Sequence, residues 1–137
     1  MRIYVAGKWQ EKAQVKAVQI ALKNVGHEIT HDWTVHDMGR HESQEPTDVQ
    51  IGAHWYDPEE LARQALGDLR GVQTADVIVI CAINPHRYSG TLTEMGIALG
   101  CGHRVLIIGD CIDGNIFTWL PEVKVYPSVA EVIDALR

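Results

Sequence analysis

Apolar positions along the chain follow two periods. The runs 2-RIYVA-6, 76-DVIVICAI-83, 104-RVLIIG-109 and 123-VKVY-126 are short, β-branched and apolar at most positions. Continuous rather than alternating hydrophobicity is expected of strands covered on both faces of a parallel sheet. Between the runs the period changes. Val15, Val18, Leu22 and Val25 fall on one helical stripe, which Gly26 closes. The stretch 28-EITHDW-33 predicts a second, more polar strand. Asp57-Pro58-Glu59-Glu60 reads as a helix start, with an N-cap Asp, Pro at the first helical position and an acid at the third. That helix is expected to run to about Leu69, with Gly71 near its end. Thr91-Leu92-Thr93-Glu94 matches a capping box opening a helix over Thr91–Gly102. Ser128, with Glu131 three residues on, caps a closing helix to Leu136.

Strand–helix alternation of this kind predicts one doubly wound α/β sandwich over residues 1–137, built on a parallel sheet of about five strands. Residues 34–56 carry no period and are rich in His, Gly, Asp and Glu. A segment that long inside a compact domain is usually functional or disordered. In open parallel sheets ligands bind at the carboxyl ends of the strands, near the point where strand order reverses. That rule selects the loops 7-GKW-9, 34–57, 84-NPHRYSG-90 and 110-DCIDGN-115.

Composition narrows the partners. The chain has 137 residues, 46% hydrophobic and 22% charged, with a net charge of −6. No basic face suggests duplex nucleic acid or a membrane surface, and no apolar run approaches the ~18 residues of a membrane span. The three cysteines include no CxxC, which points to reduced thiols and a cytoplasmic setting. No signal peptide is expected, because the N-terminus enters a strand-like run at once.

Two carboxylates stand out. Glu94 lies near the start of the helix that follows the most apolar strand. The spacing alone supports both a capping role and an attacking role. Asp68 is seven residues from Leu61, three from Ala65 and four from Val72, so it falls on or beside an apolar stripe. It is either an Asp reaching solvent near a helix end or a buried acid with a raised pKa, as a general acid needs. One nucleophile and one acid are the equipment for cleaving a glycosidic bond with retention.

Trp9, Trp33 and Trp55 fall at strand ends or in the long loop. They are either packing residues or rings able to stack a nucleobase. The segment 86-HRYSGT-91 is either a solvated turn or an anion seat before a helix N-terminus. No GxGxxG or GxxxxGK[ST] is present. His31, His36 and His41 do not have a zinc spacing, so no metal is expected. Cys81 reads as a small core residue.

Three ordered segments, 3-IYVAGKW-9, 67-GDLRGVQTADVIV-79 and 90-GTLTEMGIALGCGHRV-105, resemble the nucleoside 2-deoxyribosyltransferases and the related 2'-deoxynucleoside 5'-phosphate N-hydrolases. The resemblance runs from Arg2 to about Leu120 and leaves out the 34–56 loop. It implies a Rossmann/flavodoxin-like fold, no cofactor, a small nucleoside or nucleotide substrate, and a homo-oligomer with a shared active site. It also implies roles. Glu94 would be the nucleophile that forms a covalent glycosyl–enzyme, Asp68 would assist protonation of the leaving base, and Tyr4 would position the nucleophile. Trp9 would stack on the base, and Gly7 would bind substrate. Arg87, Tyr88, Ser89 and Gly90 would surround the sugar's 5' end, to which Asn115 would be lent by a neighbouring subunit. One departure matters. Transferases acting on free nucleosides carry an Asp six residues before the nucleophile, whereas the monophosphate hydrolases carry a small hydroxyl residue there. Here the position is Tyr88, and loss of the carboxylate removes a repulsion toward phosphate. A nucleoside and a 5'-monophosphate therefore both stand as expected substrates. A non-catalytic nucleotide-binding module is the reading from a different class.

Overall fold

A computed structural model describes residues 1–35 and 58–137. The expectations for His36, His41, Trp55 and the Asp57 cap lie outside the described residues. Five parallel strands form one sheet: β1 (Arg2–Ala6), β2 (Glu28–Ile29), β3 (Val77–Cys81), β4 (Arg104–Ile108) and β5 (Val123–Tyr126). Their order is β2-β1-β3-β4-β5, so strand order reverses between β1 and β3. Helices α1 (Lys12–Asn24) and α4 (Val129–Ala135) pack together on one side. Helices α2 (Pro58–Thr74) and α3 (Ser89–Gly100) pack together on the other. The doubly wound reading therefore holds.

Every residue of β3 is buried, as are four of the five in β1 and in β4, which is why these strands read as unbroken apolar runs. On α1, Val15, Val18 and Leu22 supply the buried stripe, while Val25 lies beyond the helix and is exposed.

Three elements depart from the sequence reading. Strand β2 stops at Ile29 instead of Trp33. Beyond it, polar side chains take over the bonding. Thr30 Oγ1 donates to the Gly71 carbonyl at 2.7 Å, Asp32 accepts from Thr34 N at 3.1 Å, and Trp33 opens a 3₁₀ turn over Trp33–Val35. Helix α2 runs past both Gly67 and Gly71 to Thr74, so these glycines are internal positions and not a stop signal. Helix α3 begins at Ser89, two residues before the expected cap. Tyr88 is its N-cap, held in the left-handed region with φ 53 and ψ 29. Thr91 thus sits inside the first turn, buried, with no partner for its hydroxyl, and Glu94 lies one turn deeper. The capping box is not formed. At α4, Ser128 is the N-cap as expected, but its hydroxyl bonds the Glu131 carboxylate and not the backbone.

Candidate active site

Strand β1, helix α2 and helix α3 each present one polar group to a common point on the α2/α3 side of the sheet. Tyr4 lies in the middle of β1 and is fully buried. Its hydroxyl donates to Glu94 Oε2 on α3 and also hydrogen-bonds Asp68 on α2. Burial, then the charges of Glu94 and Asp68, push the Tyr4 phenol far above its ordinary range. The phenol therefore keeps its proton, and stays a hydrogen-bond donor, around neutral pH.

Glu94 is pushed up to about 8. Desolvation is the largest cause, and the nearby Asp68 charge adds to it. The Tyr4 hydrogen bond opposes both by stabilising the carboxylate. A group of this kind holds a proton at neutral pH and ionises at mildly alkaline pH. A pair of carboxylates bonding one phenol oxygen is close together, compatible with the ~5–5.5 Å separation of retaining glycosidases.

Asp68 reaches this point because α2 comes unusually near the strand. A Cβ at Gly71 would fall 2.9 Å from Tyr4 Cδ2 and 2.7 Å from His31 Cβ, and one at Gly67 would fall 3.0 Å from His31 Cε1. The two glycines, one helical turn apart, form a notch that takes the Tyr4 ring and the His31 imidazole. His31 Nε2 stands 3.3 Å from Asp68 Oδ1, at ion-pair distance and not as an aligned hydrogen bond. The sequence reading had His31 only as part of an irregular histidine series. Its neighbour across the fold is set by the glycine notch, which helical spacing alone does not reveal.

The other expected site residues scatter more widely. Gly7 follows β1, where a Cβ would fall 2.5 Å from Val15 Cγ2, so the position admits no side chain without a shift. Trp9 opens a 3₁₀ turn, Trp9–Glu11, and Lys12 Nζ lies 4.8 Å from the centre of its ring. Trp33 is buried and donates to the Val5 carbonyl at 2.8 Å, so it is a packing residue and does not offer a face to a base. Arg87, Ser89 and Gly90 are exposed around the start of α3. Tyr88 is fully buried and donates its hydroxyl to the Asn84 carbonyl, so it offers a ligand its backbone and not its phenol. Asn115 caps the 3₁₀ turn Ile116–Trp119, accepting from Phe117 N at 3.0 Å. It lines a groove of about 590 Å³ with Leu92, Met95, Leu99 and Phe117 of the same chain, and Tyr4, Asp68 and Glu94 are not among the described lining residues.

One residue the sequence reading missed lies at the strand-order reversal. Glu11, 8% exposed, accepts at Oε1 from Asn84 Nδ2 and stands 3.1 Å from His86 Nε2. Its carboxylate thereby ties the loop after β1 to the loop after β3. The only signal in the sequence is an acid at the end of 7-GKWQE-11, indistinguishable there from an acid in the first turn of a surface helix. Cys81 is buried as expected, its thiol pushed up to about 12 by desolvation and by the Glu11 charge.

No protein-family model matches the chain, and no curated protein matches it in sequence. Solved structures do match along nearly the whole length. The 2-deoxyribosyltransferase of Bacillus psychrosaccharolyticus is 19% identical with a TM-score of 0.64, covering 96% of this chain and 90% of its own. The CMP N-glycosidase of Clostridium botulinum is 17% identical with a TM-score of 0.54, covering 99% and 98%. The chain has the nucleoside 2-deoxyribosyltransferase-like fold.

Proposed function

We propose that the chain cleaves the N-glycosidic bond of 2'-deoxyribonucleosides or their 5'-monophosphates, passing the sugar to another nucleobase or to water. The observation that carries the reading is the cluster Tyr4–Glu94–Asp68, in which two carboxylates from different helices share one buried phenol. Glu94 as a carboxylate attacks the anomeric carbon. The carbon–nitrogen bond breaks, its electron pair leaves with the base, and the Asp68 carboxylic acid supplies the proton. The product is a glycosyl ester on Glu94. A second base or a water molecule then attacks the same carbon, Asp68 takes the proton from the incoming group, and Glu94 is released. The Tyr4 hydroxyl fixes one Glu94 oxygen and leaves the other for the sugar. No step calls for a metal or an organic cofactor. The similarity in fold to a deoxyribosyltransferase and a nucleotide N-glycosidase supports this chemistry.

Incubation with deoxynucleosides and deoxynucleoside monophosphates, each with and without an acceptor base, tests the reading. Base release or exchange by liquid chromatography is expected, with a deoxyribosyl adduct on Glu94 in quenched samples. No base loss from any substrate, or undiminished turnover in Glu94→Ala, would overturn it.

A further inference from the structure

An acid catalyst works from a set geometry, because its proton must travel along one hydrogen bond to one atom of the leaving base. The Asp68 side chain is 33% exposed, so packing alone does not set it. The residues one turn further along α2, Gly71 and Val72, offer it no polar side chain. The Tyr4 hydroxyl bonds the carboxylate from β1. A second contact takes away its freedom to pivot about that first one.

The second contact comes from the segment after β2. His31 Nε2 lies 3.3 Å from Asp68 Oδ1. The chain on both sides of His31 is tied down. Thr30 N donates to the Ile3 carbonyl at 3.0 Å and its hydroxyl to the Gly71 carbonyl at 2.7 Å, which binds the segment to β1 and to α2 itself. Asp32 pairs with Lys16 of α1, and Trp33 donates to the Val5 carbonyl at 2.8 Å. The imidazole is seated in the notch of the two glycines. A Cβ at Gly67 would fall 3.1 Å from Nε2 itself, so the ring occupies space that a larger residue would fill.

These ties make the contact asymmetric. The imidazole stands on a held backbone, while the carboxylate turns about a soft last torsion. A small rotation of Asp68 brings Oδ1 onto the imidazole N–H. Oδ2 is then the oxygen that carries the acid proton. As the base leaves, the Asp68 O–H bond breaks and the base takes the proton. The negative charge left on Asp68 is met by the imidazole N–H, a donor that favours the charged form of a carboxylate. His31 keeps its own proton throughout.

We propose that His31 is the positioning residue of the acid: seated in the glycine notch, its Nε2–H holds Asp68 Oδ1 and aims Oδ2 at the leaving base. This rests on the glycosyl-cleaving function proposed above and deepens it by adding a residue to the acid step.

The test is steady-state cleavage of the deoxynucleoside or deoxynucleoside monophosphate that the unmodified chain turns over fastest. The variants are His31→Asn, Asp68→Asn, the two together, and His31→Gln. An Asn amide is too short to reach Asp68, whereas a Gln amide reaches about as far as Nε2. His31→Asn is expected to lower kcat roughly 10- to 50-fold with KM changed less than about threefold. His31→Gln is expected to keep kcat within about threefold of the unmodified chain. In the Asp68→Asn background, His31→Asn is expected to cost less than about threefold, because its effect runs through Asp68. No loss in His31→Asn, an equal loss in both backgrounds, or a His31→Gln chain as slow as His31→Asn overturns the proposal and leaves the cleavage reading intact. No turnover of any substrate by the unmodified chain overturns both. Should His31→Asn not fold, Gly67→Ala takes its place in the cycle with the same expectations, since its methyl displaces the imidazole from the notch.

Discussion

The Tyr4 hydroxyl donates to Glu94 across 90 positions of sequence, joining the middle of β1 to the second turn of α3. The bond does two things at once. It satisfies a phenol that is otherwise sealed in the core, and it stabilises the charged form of a carboxylate that desolvation would keep neutral. Tyr4→Phe removes the donor with almost no change in shape. We expect kcat to fall by roughly 10- to 100-fold, with KM changed by less than about threefold, since the lost bond acts on the nucleophile and not on substrate binding. Steady-state base release measures this. An unchanged kcat would separate Tyr4 from the chemistry.

The raised Glu94 pKa sets the direction of two pH effects. As a nucleophile Glu94 must be ionised and as an acid Asp68 must be protonated, so turnover should be bell-shaped in pH, with the rising limb set by Glu94 near 8. Stability moves the other way. The folded chain keeps this proton from about 4.5 up to about 8 while the unfolded chain loses it early, so the stabilising contribution is full at acid pH and declines over that window. Glu94→Gln should flatten the decline and be the more stable form above pH 8. Urea melts of both chains at several pH values check the sign.

Asp68 has a test that distinguishes an acid from a structural carboxylate. An acid catalyst matters most when the leaving group is a poor one. Asp68→Asn should therefore slow cleavage of ordinary deoxynucleosides by roughly 10²- to 10⁴-fold. It should slow far less a substrate whose base already carries a positive charge, such as an N7-methylated deoxyguanosine. Comparison of the two rates in one variant makes the measurement independent of how much active protein is present. Equal losses on both substrates would assign Asp68 to orientation.

Much of this arrangement is legible in the sequence. The buried strands β1, β3 and β4 announce themselves as unbroken apolar runs, and their alternation with helical stripes gives the doubly wound sheet. Asp68 is legible because a carboxylate beside an apolar stripe is an inconsistency that calls for a partner. What stayed hidden depends on contacts between distant segments. The capping box at Thr91–Glu94 has the right letters, but Tyr88 adopts a left-handed conformation and starts the helix earlier, which moves Glu94 off the cap and into the site. Local pattern cannot report that, because Glu94's partner Tyr4 lies 90 residues away in sequence. The buried role of Glu11 was invisible for the same reason, since its partners Asn84 and His86 are more than 70 residues away.

The approach of α2 to β1 deserves the last test, because the whole cluster depends on it. Gly67 and Gly71 lack the side chains that would hold the helix away from the strand. At Gly71 a Cβ would meet two crowded partners, Tyr4 Cδ2 at 2.9 Å and His31 Cβ at 2.7 Å, and neither is the free end of a flexible chain. Gly71→Ala should therefore destabilise the chain by about 1–3 kcal/mol, despite the better helix propensity of alanine. At Gly67 the contact is with the far edge of the His31 ring at 3.0 Å, which can swing away. Gly67→Ala should then be near neutral in stability. Thermal or urea melts rank the two. If Gly71→Ala melts like the unmodified chain, α2 has slack against β1, and the position of Asp68 must be held by something other than this notch.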